Sequence, residues 1–276
     1  MGDYHRPRDL DEALKALTRP CTVLAGGTDF YPARVGRPVT ENVLDISGIE
    51  VLRGISATAE GWRLGATTTW SDLIEAELPP LFDGLKQAGR EVGGRQIQNA
   101  GTLAGNLCNA SPAADGVPAL LALDAEIEIA RSTGSRRVPL AEFITGVRRT
   151  LLQPGELVVA LHVPRPQHAA RSAFLKLGAR RYLVISIAMA SAVVESAGGK
   201  VQAARVAVGA CSPVARRLPA LETALAGATL DGTLVDRIDP AHLAPLSPID
   251  DVRGSAVYRR DAVLVLLKRL LQGLVA

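Results

Sequence analysis

The sequence predicts an α+β protein with a large N-terminal domain and a smaller C-terminal domain. Three observations support this class. Residues 8–47 alternate between helical and strand-like segments, and the last third of the chain holds three strand-like runs before a long amphipathic helix. Between these parts lies PRPQHAAR at residues 164–171, a polar, proline-containing stretch typical of a linker. We place a domain boundary at about 165–171, which gives domains at 1–165 and 170–276.

The N-terminal domain begins with one helix and two short strands. Leu10, Ala13, Leu14 and Leu17 recur at helical spacing, which predicts a helix over residues 8–18. The apolar segment CTVLAGG follows as a strand that runs into two glycines, and NVLDIS is a second strand after a helical turn in TDFYPARVG. These elements form a first subdomain at about residues 1–55.

A second subdomain is predicted over residues 56–165. GWRLGATTTW indicates a strand that leads to a helix cap at Thr69 or Ser71. Residues 80–92 form a further amphipathic stretch, VPALLALDAEIEIA predicts a helix followed by a strand, and ELVVALHVP is a strand ended by a proline. Residues 93–115 are rich in small and amide side chains, and such a stretch is too long to serve merely as a connector.

The C-terminal domain is predicted to hold a three-stranded antiparallel sheet covered by helices. SAFLKLG, VISIAMASAVVE and VQAARVAVGA are the three strand-like runs, and Gly198-Gly199 is a hairpin turn between the second and third. PALETALAG predicts a helix capped by Gly227, and residues 254–275 predict a final helix with one apolar face.

Composition excludes several functional classes. The net charge is only +3 and aromatic residues make up 4% of the chain, so nucleic-acid binding is not expected. The three cysteines, Cys21, Cys108 and Cys211, lie far apart, which argues against a disulfide framework or a cysteine-ligated metal cluster and fits a cytoplasmic protein. The N-terminus lacks a secretory signal, and no apolar run is long enough to span a membrane.

The first motif that suggests chemistry is AGGTD at residues 25–29, directly after an apolar strand. Two glycines let the backbone approach a ligand closely and present N–H groups to an anion, while Thr28 adds a hydroxyl group. These features favour a phosphate-binding loop. A glycine pair on its own fits an ordinary turn equally well, with Thr28 as a helix cap.

The second motif is TLAGNLCNASPAAD at residues 102–115. Gly101 and Gly105 relax the backbone, and Asp115 offers a carboxylate suited to ribose or ribityl hydroxyls. The segment also carries short hydrogen-bonding side chains (Thr102, Asn106, Asn109, Ser111) and apolar anchors (Leu103, Leu107, Cys108). We interpret it as a segment that wraps an extended polar ligand. The alternative is a glycine-rich surface loop.

Several familiar motifs do not occur. The sequence has no G-x-G-x-x-G, no P-loop, no H-E-x-x-H and no G-x-S-x-G. The four histidines are scattered, and His162 lies in a strand pattern that favours a structural role. Without an evident nucleophile or metal site, any redox chemistry would depend on an organic cofactor.

AGGTD, followed by TLAGNLCNASPAAD and by the ending VRGSAVYRRDAVLVLLKRLL, resembles the flavin subunits of the molybdenum hydroxylases. This family includes the medium subunits of xanthine dehydrogenase and carbon monoxide dehydrogenase. The resemblance covers nearly the whole chain. It implies an FAD-binding domain of the vanillyl-alcohol-oxidase or PCMH type in residues 1–165, made of two subdomains, and then the smaller C-terminal domain. A cysteine-rich insertion that holds a 4Fe-4S cluster in the benzoyl-CoA-type reductases is missing.

The resemblance also assigns residues to FAD. The first loop would hold the pyrophosphate and the second would form a further FAD contact, with Ala104 in place of the first glycine of the family's usual pair. The first loop comprises Leu24, Ala25, Gly26, Gly27, Thr28, Asp29, Phe30 and Tyr31; the second comprises Thr102, Leu103, Ala104, Gly105 and Asn106.

Four further positions follow from the same resemblance. Asp115 matches an acidic residue that contacts the FAD chain, and Val158 matches an apolar position near the isoalloxazine ring. Lys176 matches a lysine whose charge would stabilise reduced flavin, and Val92 falls where xanthine dehydrogenases carry an aromatic residue. We expect Asp115→Ala and Gly27→Val to weaken FAD retention and to leave the fold intact.

The resemblance implies that this chain is an electron-transfer subunit. A large molybdopterin subunit would oxidise the substrate, a small subunit would carry two 2Fe-2S clusters, and this chain would pass the electrons to an external acceptor. We therefore expect a heterotrimer, commonly doubled. Two alternatives stay open from the sequence: a stand-alone FAD oxidoreductase of the same fold, and a nucleotide-binding module without redox activity.

Overall fold

The computed structural model describes residues 2–275. The first subdomain is built on a small parallel sheet of three strands. Helix α1 (Leu10–Ala16) lies between the first two strands, and the side chain of Asp9 caps its N-terminus. The strands run in the order β1-β3-β2 and comprise β1 (Tyr4–His5), β2 (Thr22–Leu24) and β3 (Val43–Asp45). A turn of 3₁₀ helix at Pro32–Arg34 occupies the place of the predicted helical turn.

The second subdomain contains a five-stranded antiparallel sheet in the order β4-β5-β10-β6-β7. A small hairpin, β8-β9, lies beside it. The strands are β4 (Ile55–Ala57), β5 (Gly61–Gly65), β6 (Glu126–Arg131), β7 (Gly134–Pro139), β8 (Ile144–Gly146), β9 (Arg149–Thr150) and β10 (Leu157–Pro164). His162 on β10 bonds Glu128 on β6 at 2.7 Å, so it has a partner within the sheet.

Six helices accompany this sheet: α2 (Trp70–Glu75), α3 (Asp83–Glu91), α4 (Arg95–Ala100), α5 (Leu103–Asn109), α6 (Gly116–Ala122) and α7 (Leu140–Phe143). Of the two predicted caps, Thr69 is the one used. Its hydroxyl accepts the Asp72 amide and the Asp72 carboxylate accepts the Thr69 amide, a reciprocal capping box. The polar segment 93–115, for which no secondary structure was predicted from the sequence, is largely helical, because α4 and α5 fall within it.

The C-terminal domain contains the three predicted antiparallel strands and a short fourth strand. They are β11 (Ala169–Leu177), β12 (Ala188–Ala197), β13 (Lys200–Gly209) and β14 (Arg216–Arg217). Gly198 and Gly199 have φ angles of 57° and 72°, the conformation that a tight hairpin turn requires, so the predicted turn is confirmed. Because β11 begins at Ala169, the last residues of the predicted linker are strand residues instead.

Two helices cover the outer face of this sheet. α8 (Pro219–Leu225) packs on β13, and α9 (Ala256–Val275) packs on β11 and β12. Gly227 has a φ of 78° just after α8, as expected for a residue that ends a helix. The apolar face of α9 is buried in one core cluster with residues from β12 and β13, which confirms the predicted final helix.

The opposite face of the C-terminal sheet packs against the N-terminal domain. Helices α3 and α6 contact this face, and Phe174, Met189 and Val193 belong to the same core cluster as Leu85 and Leu120. One continuous core therefore joins the two parts of the chain, and the α+β class is confirmed. None of the helices within residues 2–275 has the length and apolar character needed to cross a membrane.

Candidate functional site

A cleft of about 580 Å³ opens where the first subdomain meets the second. Most of its lining comes from three places: the end of β2 with the loop after it, helix α5 with the residue before it, and the first residues of β10. Its volume lies within the range of about 300–1,000 Å³ that is usual for small-molecule and cofactor sites.

The two glycine motifs meet at this cleft. Gly26 lies so close to the end of α4 that a Cβ atom at this position would be 1.8 Å from the Ala100 carbonyl oxygen. A Cβ atom at Gly101 would be 3.5 Å from the Thr28 hydroxyl. Only glycine allows the approach at position 26, because any side chain would collide with backbone. The motifs, which are distant in sequence, thus form one continuous surface.

The first loop presents backbone donors. Within residues 2–275, the amides of Gly26, Gly27, Thr28, Asp29 and Phe30 donate no hydrogen bond, although all five residues line the cleft. Gly27 has a φ of 73°, and a Cβ atom there would lie 2.5 Å from the Tyr31 ring. A run of unengaged N–H groups in such a turn suits an anion, above all a phosphate.

Three charged side chains line the cleft; Arg34 and Glu156 are paired within the protein, and the exposed Asp29 has no ion-pair partner among the described residues. The Arg34 guanidinium stacks 3.7 Å from the centre of the Phe30 ring and bonds Glu41. The Glu156 carboxylate bonds Arg136 at 2.9 and 3.1 Å, and this partner lowers its pKa. Among the described lining residues Arg34 is the only basic side chain, so backbone amides provide the principal attraction for an anion.

Helix α5 turns one face to the cleft and the other to the core. Leu103 and Leu107 are fully buried in the core, as predicted. Cys108 was expected to be a third apolar anchor, but it lines the cleft and is accessible from it, because it lies one residue further round the helix. The cleft walls around it raise the pKa of its thiol.

Asn106 has an unused acceptor on the same helix. Its Oδ1 atom is buried and has no hydrogen-bond partner among the described residues, although the residue lines the cleft. Leaving such an atom unpaired in a protein interior costs about 1–3 kcal/mol, so a ligand donor is the natural partner. Thr102 is engaged otherwise, because its hydroxyl accepts the Gly105 amide at 3.0 Å and caps α5.

Apolar side chains form the walls of the cleft. Val158 at the start of β10 and Val92 after α3 line the cleft; the contacts with a flavin ring that the resemblance implies for them stay predictions. Sequence reasoning missed Trp70, Ile97 and Leu152, which complete these walls. Trp70 follows the Thr69 cap, so a reader of the sequence can identify the helix start but not the direction of the indole ring.

Asp115 and Lys176 lie outside the cleft lining and contact each other. The Lys176 ammonium is 2.7 Å from the Asp115 carboxylate, and both side chains are more than nine-tenths buried. Lys176 also donates to the Glu91 carbonyl at 3.3 Å, and Ser186 donates to Asp115 at 2.5 Å. Desolvation raises the pKa of Asp115, and the contact with Lys176 opposes that shift. Their predicted contacts with a cofactor stay predictions.

The structure thus brings most of the predicted site residues to one cleft. Four are not part of its lining: Tyr31, Leu103, Asp115 and Lys176. Tyr31 packs edge-on against Phe30 at the exposed side of the loop, and Leu103 points into the core. The twelve predicted residues that do line it are Leu24, Ala25, Gly26, Gly27, Thr28, Asp29, Phe30, Thr102, Ala104, Gly105, Asn106 and Val158.

Comparison with known proteins identifies the family. Residues 1–166 match the family model described as the FAD binding domain in molybdopterin dehydrogenase. The chain belongs to this family. Residues 173–274 match a second model, the CO dehydrogenase flavoprotein C-terminal domain. The resemblance stated from the sequence, with its oxidoreductase class and FAD as the cofactor, is confirmed.

Individual members of this FAD-binding family agree along their whole length. The xanthine dehydrogenase FAD-binding subunit of Escherichia coli O157:H7 is 30% identical, with 100% of this chain and 97% of that protein covered. The carbon monoxide dehydrogenase medium chain of Afipia carboxidovorans is also 30% identical, with 98% and 95% covered. A solved structure of quinoline 2-oxidoreductase from Pseudomonas putida 86 superposes with a TM-score of 0.90 at 26% identity, with 100% and 97% covered.

The residues of the cleft fit FAD. A phosphate group needs several convergent donors, and the loop at residues 26–30 has five amides available. An aromatic ring system needs an apolar slot, which Val92, Val158 and Trp70 supply. The unpaired Asn106 oxygen offers an acceptor for a ligand hydroxyl or amine.

Proposed function

We propose that this chain is the FAD-carrying electron-transfer subunit of a molybdenum-cofactor dehydrogenase or hydroxylase. It would accept electrons from 2Fe-2S clusters of a partner subunit and pass them to an external acceptor. The observation that carries the proposal is the meeting of the two glycine loops around five unengaged amides, in a chain of the FAD-binding family. When bound, FAD would supply the chemistry that couples successive one-electron transfers to a two-electron transfer.

At the phosphate end, this chain would act through its backbone. The amides of residues 26–30 would hold the pyrophosphate, and the close contact of Gly26 with Ala100 would fix the distance between the two loops. Such pre-positioned N–H groups bind without reorganisation, so they provide affinity at little entropic cost. Asn106 would accept a hydrogen bond from the ligand at the second loop.

At the ring end, the chain would act through burial and charge. Val92, Val158 and Cys108 would contact the isoalloxazine and exclude water from it. Lys176 would lie behind this wall, where its charge is balanced by Asp115. We therefore expect Lys176 to tune the flavin as half of an ion pair, and this effect is weaker than that of a free cation.

The remaining redox centres would belong to partner subunits. Within residues 2–275 no group of three His, Cys, Asp or Glu side chains is placed to hold a metal ion. We propose a small 2Fe-2S subunit and a large molybdopterin subunit, in a heterotrimer that can be doubled. Proteins named for xanthine, carbon monoxide and quinoline contain chains similar to this one. We therefore propose that the substrate is set by the molybdenum subunit and not by this chain.

Two further points belong to this proposal. The domain boundary at about 165–171, with subdomains meeting near residue 55, accounts for the change of sheet between β10 and β11. We also propose a cytoplasmic location, which is supported by the three cysteines, all of them free thiols in the structure.

Co-purification tests the proposal. The chain, tagged and expressed from its native genome, should elute with two further proteins and with iron, molybdenum and flavin in fixed ratios. Rapid mixing with the substrate of the complex should show bleaching of iron-sulfur absorbance before or together with that of the flavin. A chain that elutes alone and oxidises a substrate without partners would contradict the electron-transfer role.

A further inference from the structure

A cluster of two arginines and one aspartate lies at the start of α9. The arginines belong to the VRGSAVYRR motif, which the proposed function does not use, and the aspartate directly precedes this motif. Asp251 bonds Arg253 and Arg259, with N–O distances of 2.7 Å to each. Arg259 is fully buried, and its only carboxylate partner among the described residues is Asp251. We call Asp251, Arg253 and Arg259 the arginine clamp.

The arginine clamp holds a short stretch of backbone just before β12. Arg253 donates to the Ser186 carbonyl at 3.2 Å, and Arg259 donates to the carbonyl of the next residue, Ile187. A second bond from Arg259 to the Ala210 carbonyl, at 3.0 Å, ties this stretch to the end of β13. Two successive carbonyls are thus fixed by buried or half-buried guanidinium groups, which form strong charge-assisted hydrogen bonds.

Ser186, whose carbonyl Arg253 holds, in turn orients the Asp115 carboxylate of the N-terminal domain. Its side chain is fully buried, and its hydroxyl donates to Asp115 Oδ1 at 2.5 Å. The other oxygen, Oδ2, accepts the Lys176 ammonium at 2.7 Å. The charged group that faces this pair in addition is Glu91, whose carboxylate favours protonation of Asp115.

The Asp115–Lys176 pair lies directly behind the cleft wall. Lys176 bonds the Glu91 carbonyl, and the next residue, Val92, lines the cleft. On the other side, Asp115 precedes Gly116, where an added Cβ atom would be 2.5 Å from the Trp70 ring and 3.0 Å from Asn106 Oδ1. Trp70 and Asn106 line the cleft as well.

We propose that the arginine clamp is a positioning device for the flavin site: Arg253 and Arg259 hold Ser186 where its hydroxyl fixes the Asp115 carboxylate against Lys176. This inference rests on the proposed function, since it assigns a role toward bound FAD to residues of the C-terminal motif. The arginine clamp thereby keeps the Asp115–Lys176 ion pair, which carries no net charge, in place behind the cleft wall. When Asp115 loses its oriented donor, the Lys176 charge is less well balanced and favours the reduced, anionic flavin.

A double-mutant cycle on the full chain loaded with FAD tests this assignment. Arg253→Gln should raise the reduction potential of the bound flavin, in the same direction as Asp115→Asn. In the Asp115→Asn background, Arg253→Gln should add no further shift, because the group through which it acts is already changed. Ser186→Ala should reproduce the Arg253→Gln shift and serves as a second variant if Arg253→Gln does not fold.

Arg260→Gln is the matched control. It also removes one arginine charge, from the position next to Arg259, but Arg260 bonds the Leu243 and Leu246 carbonyls instead. It should leave the potential unchanged. Equal shifts from Arg253→Gln in both backgrounds, or no shift in either, would overturn the proposal.

A measurement without cofactor separates this inference from the proposed function. In the cofactor-free chain, Arg253→Gln should accelerate hydrogen exchange of the amides in residues 178–187, relative to both wild type and Arg260→Gln. If the wild-type chain binds no FAD, the proposed function fails whatever the exchange result. If FAD binds but exchange in this segment is unchanged by Arg253→Gln, the clamp itself is refuted.

Discussion

Gly27 is the residue of the first loop whose backbone conformation favours glycine. Its φ of 73° is in the left-handed region, and a Cβ atom would collide with the Tyr31 ring at 2.5 Å. Gly36 has the same φ of 73°, but no atom lies within 4 Å of its Cβ position. Both glycines therefore have a φ that other residues rarely adopt, and they differ in whether an added Cβ atom would meet a neighbouring atom.

We expect Gly27→Ala to weaken FAD binding by at least about tenfold, equivalent to about 1.4 kcal/mol, because the added methyl group must displace the Tyr31 ring, which packs against Phe30 of the same loop. Gly36→Ala, with the same backbone penalty, should change the FAD dissociation constant by less than about twofold. Fluorescence titration of FAD with each variant measures both. Similar losses in the two variants would show that strain alone, and not the shape of the cleft, is responsible.

Asp115 now has a stability role that the sequence did not indicate. We expect Asp115→Ala to destabilise the fold by about 3–5 kcal/mol, because it leaves the Lys176 ammonium buried without its counter-ion. The earlier expectation of an intact fold is revised accordingly. Urea denaturation measures the loss, and Asp115→Ala combined with Lys176→Met should recover most of it. A double variant as unstable as the single one would contradict the ion-pair explanation.

At the residue scale, local geometry was predictable and long-range pairing was not. The glycine loop follows from two adjacent glycines after an apolar strand, which is a local signal. The contact between Asp115 and Lys176 joins residues far apart in sequence, and nothing in their neighbours indicates it. Cys108 was misplaced because the helical register of α5 was not recognised in a segment rich in Gly and Asn.

Among the elements, α2 shows how a cap positions part of the site. Its capping box at Thr69 fixes the first turn, in which Trp70 is 99% buried and lines the cleft. Two further bonds hold the same turn: the Trp70 amide donates to the Gly101 carbonyl at 3.1 Å, and the Leu103 amide donates to the Thr68 carbonyl at 3.0 Å. The start of α2 therefore supports the second glycine loop.

Thr69→Ala should lower the free energy of unfolding by about 1 kcal/mol, because the Asp72 amide loses its acceptor. Thr223→Ala is the control: Thr223 is an exposed residue in the interior of α8, and alanine is the better helix former there. The free energy of unfolding of Thr223→Ala, measured by chemical denaturation, should be unchanged or slightly higher than that of wild type. An equal loss in both variants would argue against a capping effect.

Elements with a regular spacing of apolar residues or with clear turn residues were predicted well, whereas the helices in the polar segment 93–115 were not. The hairpin at Gly198-Gly199 and the apolar face of α9 follow from turn residues and helical spacing. Helices α4 and α5 contain few periodic apolar residues, and they are held by contacts with α2 and with the core. Tertiary packing thus overrides weak local preference here. The short strand β14 has only two residues, too few for any pattern.

At the scale of the whole molecule, Glu195 anchors the connection between the domains. Its carboxylate accepts the amides of Gln167 and His168 at 3.0 and 3.2 Å, and Arg205 at 2.7 Å. Desolvation alone would raise the pKa of Glu195, but the hydrogen bond from Arg205 and the linker amides outweigh it, and the net pKa is lowered. Glu195 therefore stabilises the fold in its ionised form.

The sign of the resulting pH dependence follows from this lowered pKa. The contribution is fully present above the unfolded-state value of about 4.5 and is lost as the pH falls through the folded-state value. Glu195→Gln should be less stable than wild type at pH 7 and should lose less additional stability between pH 4.5 and pH 3. The exposed Glu142, changed to Gln, serves as control. Parallel acid-unfolding curves for wild type and Glu195→Gln would contradict this assignment.

The whole-molecule arrangement was predictable only through family resemblance. The residues indicate two α+β parts and a linker, but not that helices α3 and α6 share a core with the C-terminal sheet. That shared core explains why the arginine clamp, in one domain, is close to the cleft in the other. Contacts of this kind depend on the packing of complete faces, which no local window contains.

Titration of the purified, cofactor-free chain with FAD tests the central claim most directly. We predict saturable binding of one FAD per chain, a yellow protein whose flavin absorbance is released on denaturation, and weaker binding in Gly27→Ala but not in Gly36→Ala. A correctly folded chain that stays colourless after reconstitution, or that binds FAD equally well in both glycine variants and without a defined stoichiometry, would contradict the account.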